Sequence, residues 1–295
     1  MEAPCAFCGE RKTLVESHVL PAFVFRWLRG RSGAGHMRNT DNPNLRVQDG
    51  LKFPWLCIDC EKLFNRYETA FATKVFHPWL SGNNQISYED WLLKFCTSIS
   101  WRVLKYARGQ NENAQYSVEQ HTLMDQAEEH WRDFLNDRVP HPAKFEQHLV
   151  IYDLVKSTNI SDLPTNFNRF MTGEVTLDIV GSDRSLMTFA KLGRFTIFGI
   201  IQKGPNKWSG TRVCVKNGVL KPDKFTIPVG LLDLFREKAT HSAMAMSNIS
   251  SKQRAKIDKN IIDNIDAFAE SEQFESIEVD ILMFGEDAVL RNDDS

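Results

Sequence analysis

Apolar residues recur along the chain at two different periods, and the change from one to the other divides it. Up to about residue 145 the spacing is three and four. Phe23, Val24, Trp27 and Leu28 share one helical face, and so do Leu63, Phe64, Tyr67, Phe71 and Val75. Trp91, Leu92, Phe95, Ile99, Val103 and Leu104 form a third stripe, and Leu123, Ala127, Trp131 and Leu135 a fourth. This predicts a helix opened by Pro21 and ended by Gly30, Gly33 and Gly35, a second from Cys57, and two more over 88–108 and 117–135. In this half 13–18 has strand character, and 53–56 is a short apolar entry to the second cysteine pair. After Glu146 the texture becomes β-branched and aromatic, predicting strands at 148–155, 173–180, 186–190, 194–202 and 211–215 in a mostly antiparallel sheet. Lys216-Asn217-Gly218-Val219 reads as a hairpin turn. Helices are expected at 229–240 and 251–269, and a last strand at 276–284.

Breaks at Pro78 and Ser81-Gly82-Asn83-Asn84, and again at Pro140 and Pro142, suggest three units: 1–80, 81–145 and 146–295. The expected class is therefore α+β, with a small metal-held front unit, a helical middle and a sheet-bearing C-terminal part. No repeat or low-complexity tract interrupts it.

Charged residues at 25% and hydrophobic residues at 42% are ordinary for a soluble globular protein. No apolar run approaches the ~20 residues of a membrane span, and Met1-Glu2-Ala3-Pro4 does not look like a signal peptide. A soluble, cytoplasmic protein with no membrane partner is expected. The net charge of −2 argues against a surface that coats nucleic acid as a whole. Charge is uneven, however: Arg26, Arg29, Arg31, Arg38, Arg46 and Lys52 face only Asp41 and Asp49 over 21–54, while 272–295 holds eight acidic residues against Arg291. The basic stretch is either a phosphate-binding patch or a solvated face.

Candidate chemistry is concentrated at the front. Cys5-Ala6-Phe7-Cys8 and Cys57-Ile58-Asp59-Cys60 each place two thiols two residues apart, and two such pairs can close a four-sulfur zinc site. Gly9 suits the turn after the first pair. The competing readings are two disulfides, which need an oxidising compartment, a redox dithiol, which needs only one pair, or chance spacing. Cys96 lies mid-helix and Cys214 mid-strand, and both read as packing residues.

Between the pairs lies Ser17-His18-Val19-Leu20-Pro21. An imidazole titrates near neutral pH and can take a proton from water, although a histidine here could equally brace a zinc knuckle by bonding a backbone carbonyl. The order Cys-x-x-Cys, His-x-x-Pro, an Asn-bearing loop and Cys-x-x-Cys on a helix resembles the HNH, or His-Me finger, endonucleases. The resemblance implies a ββα unit with His18 as general base, Asn42 or Asn44 as the central Asn, and Glu61 where many members carry the final His. It further implies a hard cation, Mg²⁺ or Mn²⁺, with Glu61 as its candidate ligand and Asn65 and Glu68 behind it. Members often have an acid or a second His just before the base; here that position is Ser17, with Glu16 one further back. The front third also resembles a group of bacterial proteins without assigned activity, through Ser32-Gly33-Ala34-Gly35, Asn42-Pro43-Asn44-Leu45-Arg46-Val47-Gln48-Asp49-Gly50 and the 91–104 helix.

The expectation is thus a metal-dependent endonuclease acting on nucleic acid, DNA by preference, with Arg26, Arg29, Arg31, Arg38 and Arg46 along the backbone. By analogy with bacterial defence and mobile-element proteins, the sheet-bearing half would serve sensing, specificity, oligomerisation or docking of a partner protein. The alternative is a non-catalytic zinc module that docks nucleic acid or protein. His36 and His77 lie near the same region without ligand spacing, and the remaining histidines share none.

Overall fold

The computed structural model describes residues 2–31, 37–40, 42–110, 116–205 and 207–289. Strands β1 (Glu2–Pro4) and β2 (Arg11–His18) are followed by helix α1 (Ala22–Arg31), the short ladder of β3 (Met37–Arg38) and β4 (Arg46–Val47), then β5 (Lys52–Cys57) and α2 (Ile58–Phe71). A π-helical turn over Ala72–Phe76 joins α2 to α3 (His77–Leu80), and β6 (Ile86–Glu89) leads into α4 (Trp91–Gly109) and α5 (Val118–Leu135). The C-terminal part holds β7 (Gln147–Ile151), α6 (Phe167–Gly173), β8 (Val175–Ser182), β9 (Ser185–Leu192), β10 (Phe195–Gln202) and β11 (Asn217–Leu220). Four helices close it: α7 (Gly230–Ser247), α8 (Ser251–Asp263), α9 (Ile265–Ala269) and α10 (Glu272–Phe284). The fold is mixed helix and antiparallel sheet, with four cysteines clustered at its front.

The front sheet runs β1-β2-β5, with β2 and β5 antiparallel from Leu14 opposite Cys57 to His18 opposite Lys52. A bulge at Trp55 interrupts this register between Val15 and Glu16. Such a bulge bends the strand and re-aims the side chains beyond it. Helix α2 leaves the end of β5 at Cys57 and packs back along both strands, giving a strand, strand, helix order around a long intervening connection.

The C-terminal sheet, in the order β7-β10-β9-β8, is antiparallel throughout. Its two central strands are apolar on both faces. Leu186, Ala190, Phe195 and Ile197 belong to the larger core, while Met187, Phe189, Phe198 and Ile200 belong to a smaller one with Phe170 of α6 and Phe235 of α7. Tight connections set the register: Gly193, at φ +63°, takes the left-handed turn conformation between β9 and β10, and a Cβ there would stand 2.4 Å from the Trp27 ring.

Helix α4 carries the larger core. Every residue from Leu92 to Leu104 is buried, Lys94 and Arg102 included, because α2, α5 and the C-terminal sheet surround it. The stripe read from its sequence therefore becomes burial on all sides. Its polar groups pair inward: Ser100 donates to Gln147 Oε1 at 2.7 Å, and Lys94 Nζ lies 2.6 Å from Asp137. Phe71 of α2 stacks on Phe95 with centroids 4.0 Å apart. The larger core draws residues from 1–80, 81–145 and 146–213 alike.

Four expectations change. Residues 276–284, whose alternation suggested a strand, form α10, because Ser271 caps it by accepting from Phe274 N–H at 3.1 Å. Asp280 on its inner face is fully buried and accepts from Asn168 N–H at 2.8 Å and Arg169 Nε at 2.9 Å. Asn217-Gly218 lies in β11, which pairs with β6, so it is no hairpin turn. Residues 211–215 contribute only an isolated bridge of Arg212 with His148, and Cys214 is exposed. Finally, α1 runs through Gly30 to Arg31, while Gly33, Gly35, Ser32, Ala34, His36 and Asp41 lie outside the described residues.

Candidate functional site

The front sheet presents chemistry at both ends. At one, the Sγ atoms of Cys5, Cys8, Cys57 and Cys60 all lie within 4.8 Å of one another. Cys8 Sγ is 4.0 Å from Cys57 Sγ, which is 3.5 Å from Cys60 Sγ. Tetrahedral coordination at a Zn–S bond of about 2.3 Å separates sulfurs by about 3.8 Å, so the spacing fits a closed four-sulfur site. Local backbone explains it. Cys5 N–H donates to Glu10 O and Gly9 N–H to Cys5 O, both at 2.9 Å, curling the first pair into a knuckle with Gly9 at φ +78°. The second pair sits on the first turn of α2, and Cys57 N–H donates to Cys5 Sγ at 3.3 Å. Burial pushes the Cys5 thiol up, but backbone N–H groups of Cys8, Cys57 and Phe7 together bring it down to about 7. Cys60, buried among the other sulfurs, is pushed up. The four cysteines form a cluster able to hold a metal such as zinc.

At the other end, His18 closes β2. Four residue pairs separate Leu14 opposite Cys57 from His18 opposite Lys52, roughly 13 Å of strand. His18 Nε2 lies 2.9 Å from Asp49 Oδ1, which also accepts from Gly50 N–H at 2.9 Å. Burial raises the Asp49 carboxyl, yet the His18 bond, the Gly50 amide and the charges of His18 and Lys52 hold it below its ordinary value. When the imidazole is neutral, an ionised Asp49 accepting from Nε2–H leaves the ring lone pair on Nδ1. The side chain is 19% exposed, so water can reach the ring.

The surroundings hold this geometry in place. Phe25 of α1 stacks on the imidazole with centroids 6.3 Å apart, and that ring sits so close to the chain at Gly50 that a Cβ there would lie 2.1 Å from it. Behind the strand, Arg102 of α4 donates to His18 O at 3.1 Å and pairs with Glu68 Oε1 at 2.6 Å. Arg102 is buried and Glu68 nearly so, making this a desolvated clamp from two helices. In front, Lys52 Nζ lies 3.1 Å from Glu16 Oε2 and 3.6 Å from Asp49 Oδ2. Strand alternation puts Glu16 on the same face as His18, while Ser17 turns into the core, fully buried.

The other candidates are distributed differently. Asn44 Nδ2 donates to Asn248 O at 3.1 Å and its Oδ1 accepts from Ser250 N–H at 2.8 Å, so it ties its loop to the α7–α8 turn, away from the imidazole. Asn42 accepts from Leu45 N–H through its backbone. The side chain that hydrogen-bonds the His18 ring is Asp49. Glu61 stands in the first turn of α2 at the cysteine end; its Oε2 is buried without a hydrogen-bond partner, and no bond links it to His18 among the described residues. Glu68, seven residues on and about 10 Å further along the helix, is the acid that reaches the histidine end, through Arg102.

The arginines also part company. Arg26 is exposed, and Arg29 donates to Gln48 O at 2.7 Å. Arg31 is buried at 8% exposure and is therefore withdrawn from the basic face expected of it. Arg38 bonds Pro43 O and Gln253 Oε1, and with Arg46 it turns toward the C-terminal helices.

Asp49, Arg102 and the Arg102–Glu68 pair were missed by sequence reasoning. Asp49-Gly50 carries a weak signal as a turn former after the Asn-rich loop, but Arg102 lies within an apolar helical stripe 84 residues from His18, and nothing in its spacing points there. No protein-family model matches this chain, and no curated protein or solved structure matches it either.

Proposed function

We propose that residues 1–80 form an HNH-type, metal-dependent endonuclease head with His18 as general base. The observation that carries this reading is the His18–Asp49 pair, 2.9 Å apart at the end of a strand-strand-helix unit whose other end is the four-cysteine cluster. His18 Nδ1 would take the proton of an attacking water, and Asp49 would hold the ring and offset the charge of the imidazolium. Zinc on the four sulfurs would serve as scaffold. A divalent Mg²⁺ or Mn²⁺, when bound, would supply charge stabilisation at the phosphorane and the leaving oxygen. The carboxylates nearest His18 are Glu16 and Asp49, bridged by Lys52, and they support a hard-cation role at that spot better than Glu61 does. Exposed Arg26 lies on the adjacent helix for a nucleic-acid backbone, expected to be DNA.

One observation favours the second reading, a non-catalytic zinc module that docks nucleic acid or protein. The Lys52 ammonium already bridges the two carboxylates that a catalytic cation would use. Supercoiled plasmid incubated with the full chain and Mg²⁺ or Mn²⁺ separates the two. Cleavage is expected, falling by at least ~100-fold in His18→Ala at unchanged zinc content. Binding that survives His18→Ala, without cleavage under either metal, would establish the docking reading instead.

A further inference from the structure

A second place in the molecule gathers charge that the histidine site does not use. Between α1, the β3–β4 ladder, α6 and the C-terminal helices lies a cavity of about 400 Å³, within the range of small-molecule sites. Arg31, Arg38, Arg46 and Arg254 reach it from different elements. Arg38 and Arg46 stand directly opposite each other across the β3–β4 ladder, an arrangement of like charges that weakens a strand pair unless something else offsets it.

Three of these guanidinium groups bond only neutral oxygens. Arg31 Nη2 is 3.5 Å from Thr172 Oγ1, Arg38 donates to Pro43 O and Gln253 Oε1, and Arg254 Nη2 donates to Met246 O at 3.0 Å. None has a carboxylate within ion-pair distance among the described residues. Moreover, the Nε atoms of Arg31 and Arg254 are both buried without a partner, and the Arg31 residue is 8% exposed. A buried cation left in this state is costly, and the edge formed by Nε and Nη of an arginine is the one that takes two oxygens of an oxyanion side by side. Burial brings Arg31 down to about 10, so it remains charged at neutral pH.

Glu272, Glu174 and Glu275 favour the charge on Arg31 from a distance, but none forms an ion pair with it among the described residues. Glu174 accepts from Ser242 Oγ and is pushed up by burial, and Asp258 is exposed. Asn166 adds a buried acceptor, Oδ1, that has no hydrogen-bond partner among the described residues. The rest of the lining mixes polar side chains, Lys256, Asn260 and Gln273 among them, with the apolar Leu28, Met37, Phe170, Ile257, Ile261 and Phe268. The cavity thus offers both arginine forks and apolar side chains for a ring or hydrocarbon.

We infer that this cavity binds a small organic phosphate of nucleotide size, its phosphates on Arg31, Arg38 and Arg254 and its organic body against Phe170, Ile257 and Phe268. A nucleic-acid backbone is a poor occupant, because Arg31 lies too deep for a strand on the surface to reach. The inference is independent of the histidine site, although it takes Arg31 and Arg38 from the backbone contacts expected from the sequence.

Calorimetric titration of the full chain tests it, with ADP, GDP and inorganic pyrophosphate as probes and adenosine as control. Saturable binding of ADP or GDP is expected, tighter than pyrophosphate and much tighter than adenosine. Arg254→Gln should weaken it by at least tenfold, and His18→Ala should leave it unchanged. Arg254 bonds only one carbonyl, so its loss should be tolerated, and an unchanged thermal midpoint in that variant would check this. The assignment fails if neither nucleotide nor pyrophosphate saturates, or if Arg254→Gln binds as the parent does. Pyrophosphate binding as tightly as the nucleotides would overturn the organic half of the assignment, and adenosine doing so would overturn the arginine half.

Discussion

Two histidines in this protein, His18 and His148, each stand beside a carboxylate, and their settings are opposite. His18 meets Asp49 at 2.9 Å on a strand end that solvent can reach. His148 is 2% exposed in β7, its Nδ1 2.8 Å from Thr211 Oγ1, its ring 4.3 Å from Trp208, and its Nε2 3.5 Å from Glu146 Oε2, beyond good hydrogen-bond reach. Glu146 is itself engaged by Lys203 at 3.0 Å and Arg212 at 3.3 Å. Burial drives His148 down to about 4, so it packs as a neutral ring. The pair of residue types does not decide the role. What decides it is whether the carboxylate is committed to the imidazole and whether water has access.

The largest effect on stability should come from what stands behind His18. Removing the acid in Glu68→Ala strands the buried Arg102 guanidinium, at a cost of about 3–5 kcal/mol in urea unfolding. A loss below about 1 kcal/mol would mean that α2 and α4 do not brace the histidine end. Next comes the acid behaviour of His148. Its folded value lies below the ordinary one near 6.5, so between these values the unfolded chain takes up a proton that the folded chain refuses. Stability attributable to this residue should therefore fall as pH drops from about 6.5 to 4, by up to about 3 kcal/mol. In His148→Gln that part of the slope should vanish, whereas His18→Ala should leave it in place; if the two variants exchange these behaviours, the comparison is wrong. The smallest effect tests the packing around His18. Gly50→Ala puts a methyl group against the Phe25 ring and should cost about 1–3 kcal/mol, with a shift in the His18 ring proton resonances. An unmoved resonance would show that Phe25 does not position the imidazole.

Sequence reading reached the cysteine end of the front sheet far better than the histidine end. Two Cys-x-x-Cys pairs bring their own geometry, since the first knuckle is closed by residues within five positions of one another and the second pair opens a helix. His18 was legible as a candidate for the same local reason. Its partner was not: Asn44, a candidate for the central Asn, is drawn off to the α7–α8 turn, and Asp49, which was not foreseen, bonds the imidazole where Gly50 lets the chain pass under Phe25. Most helices and sheet strands were readable from period alone. The failure at 276–284 has a specific cause, since Ile277, Val279 and Ile281 alternate as a strand would, but Ser271 and the burial of Asp280 against α6 select the helix.

The chain by itself determined the elements whose stabilising partners are near in sequence: the cysteine knuckles, the periodic helices, and the tight turn of β9 and β10. Tertiary structure alone decided which charges are buried together. Arg102 under His18, Arg31 and Arg254 around one cavity, and Asp280 over α6 each depend on contacts more than eighty residues apart. Local spacing carries no information about such contacts, because their energy arises only when folding has removed the water between them.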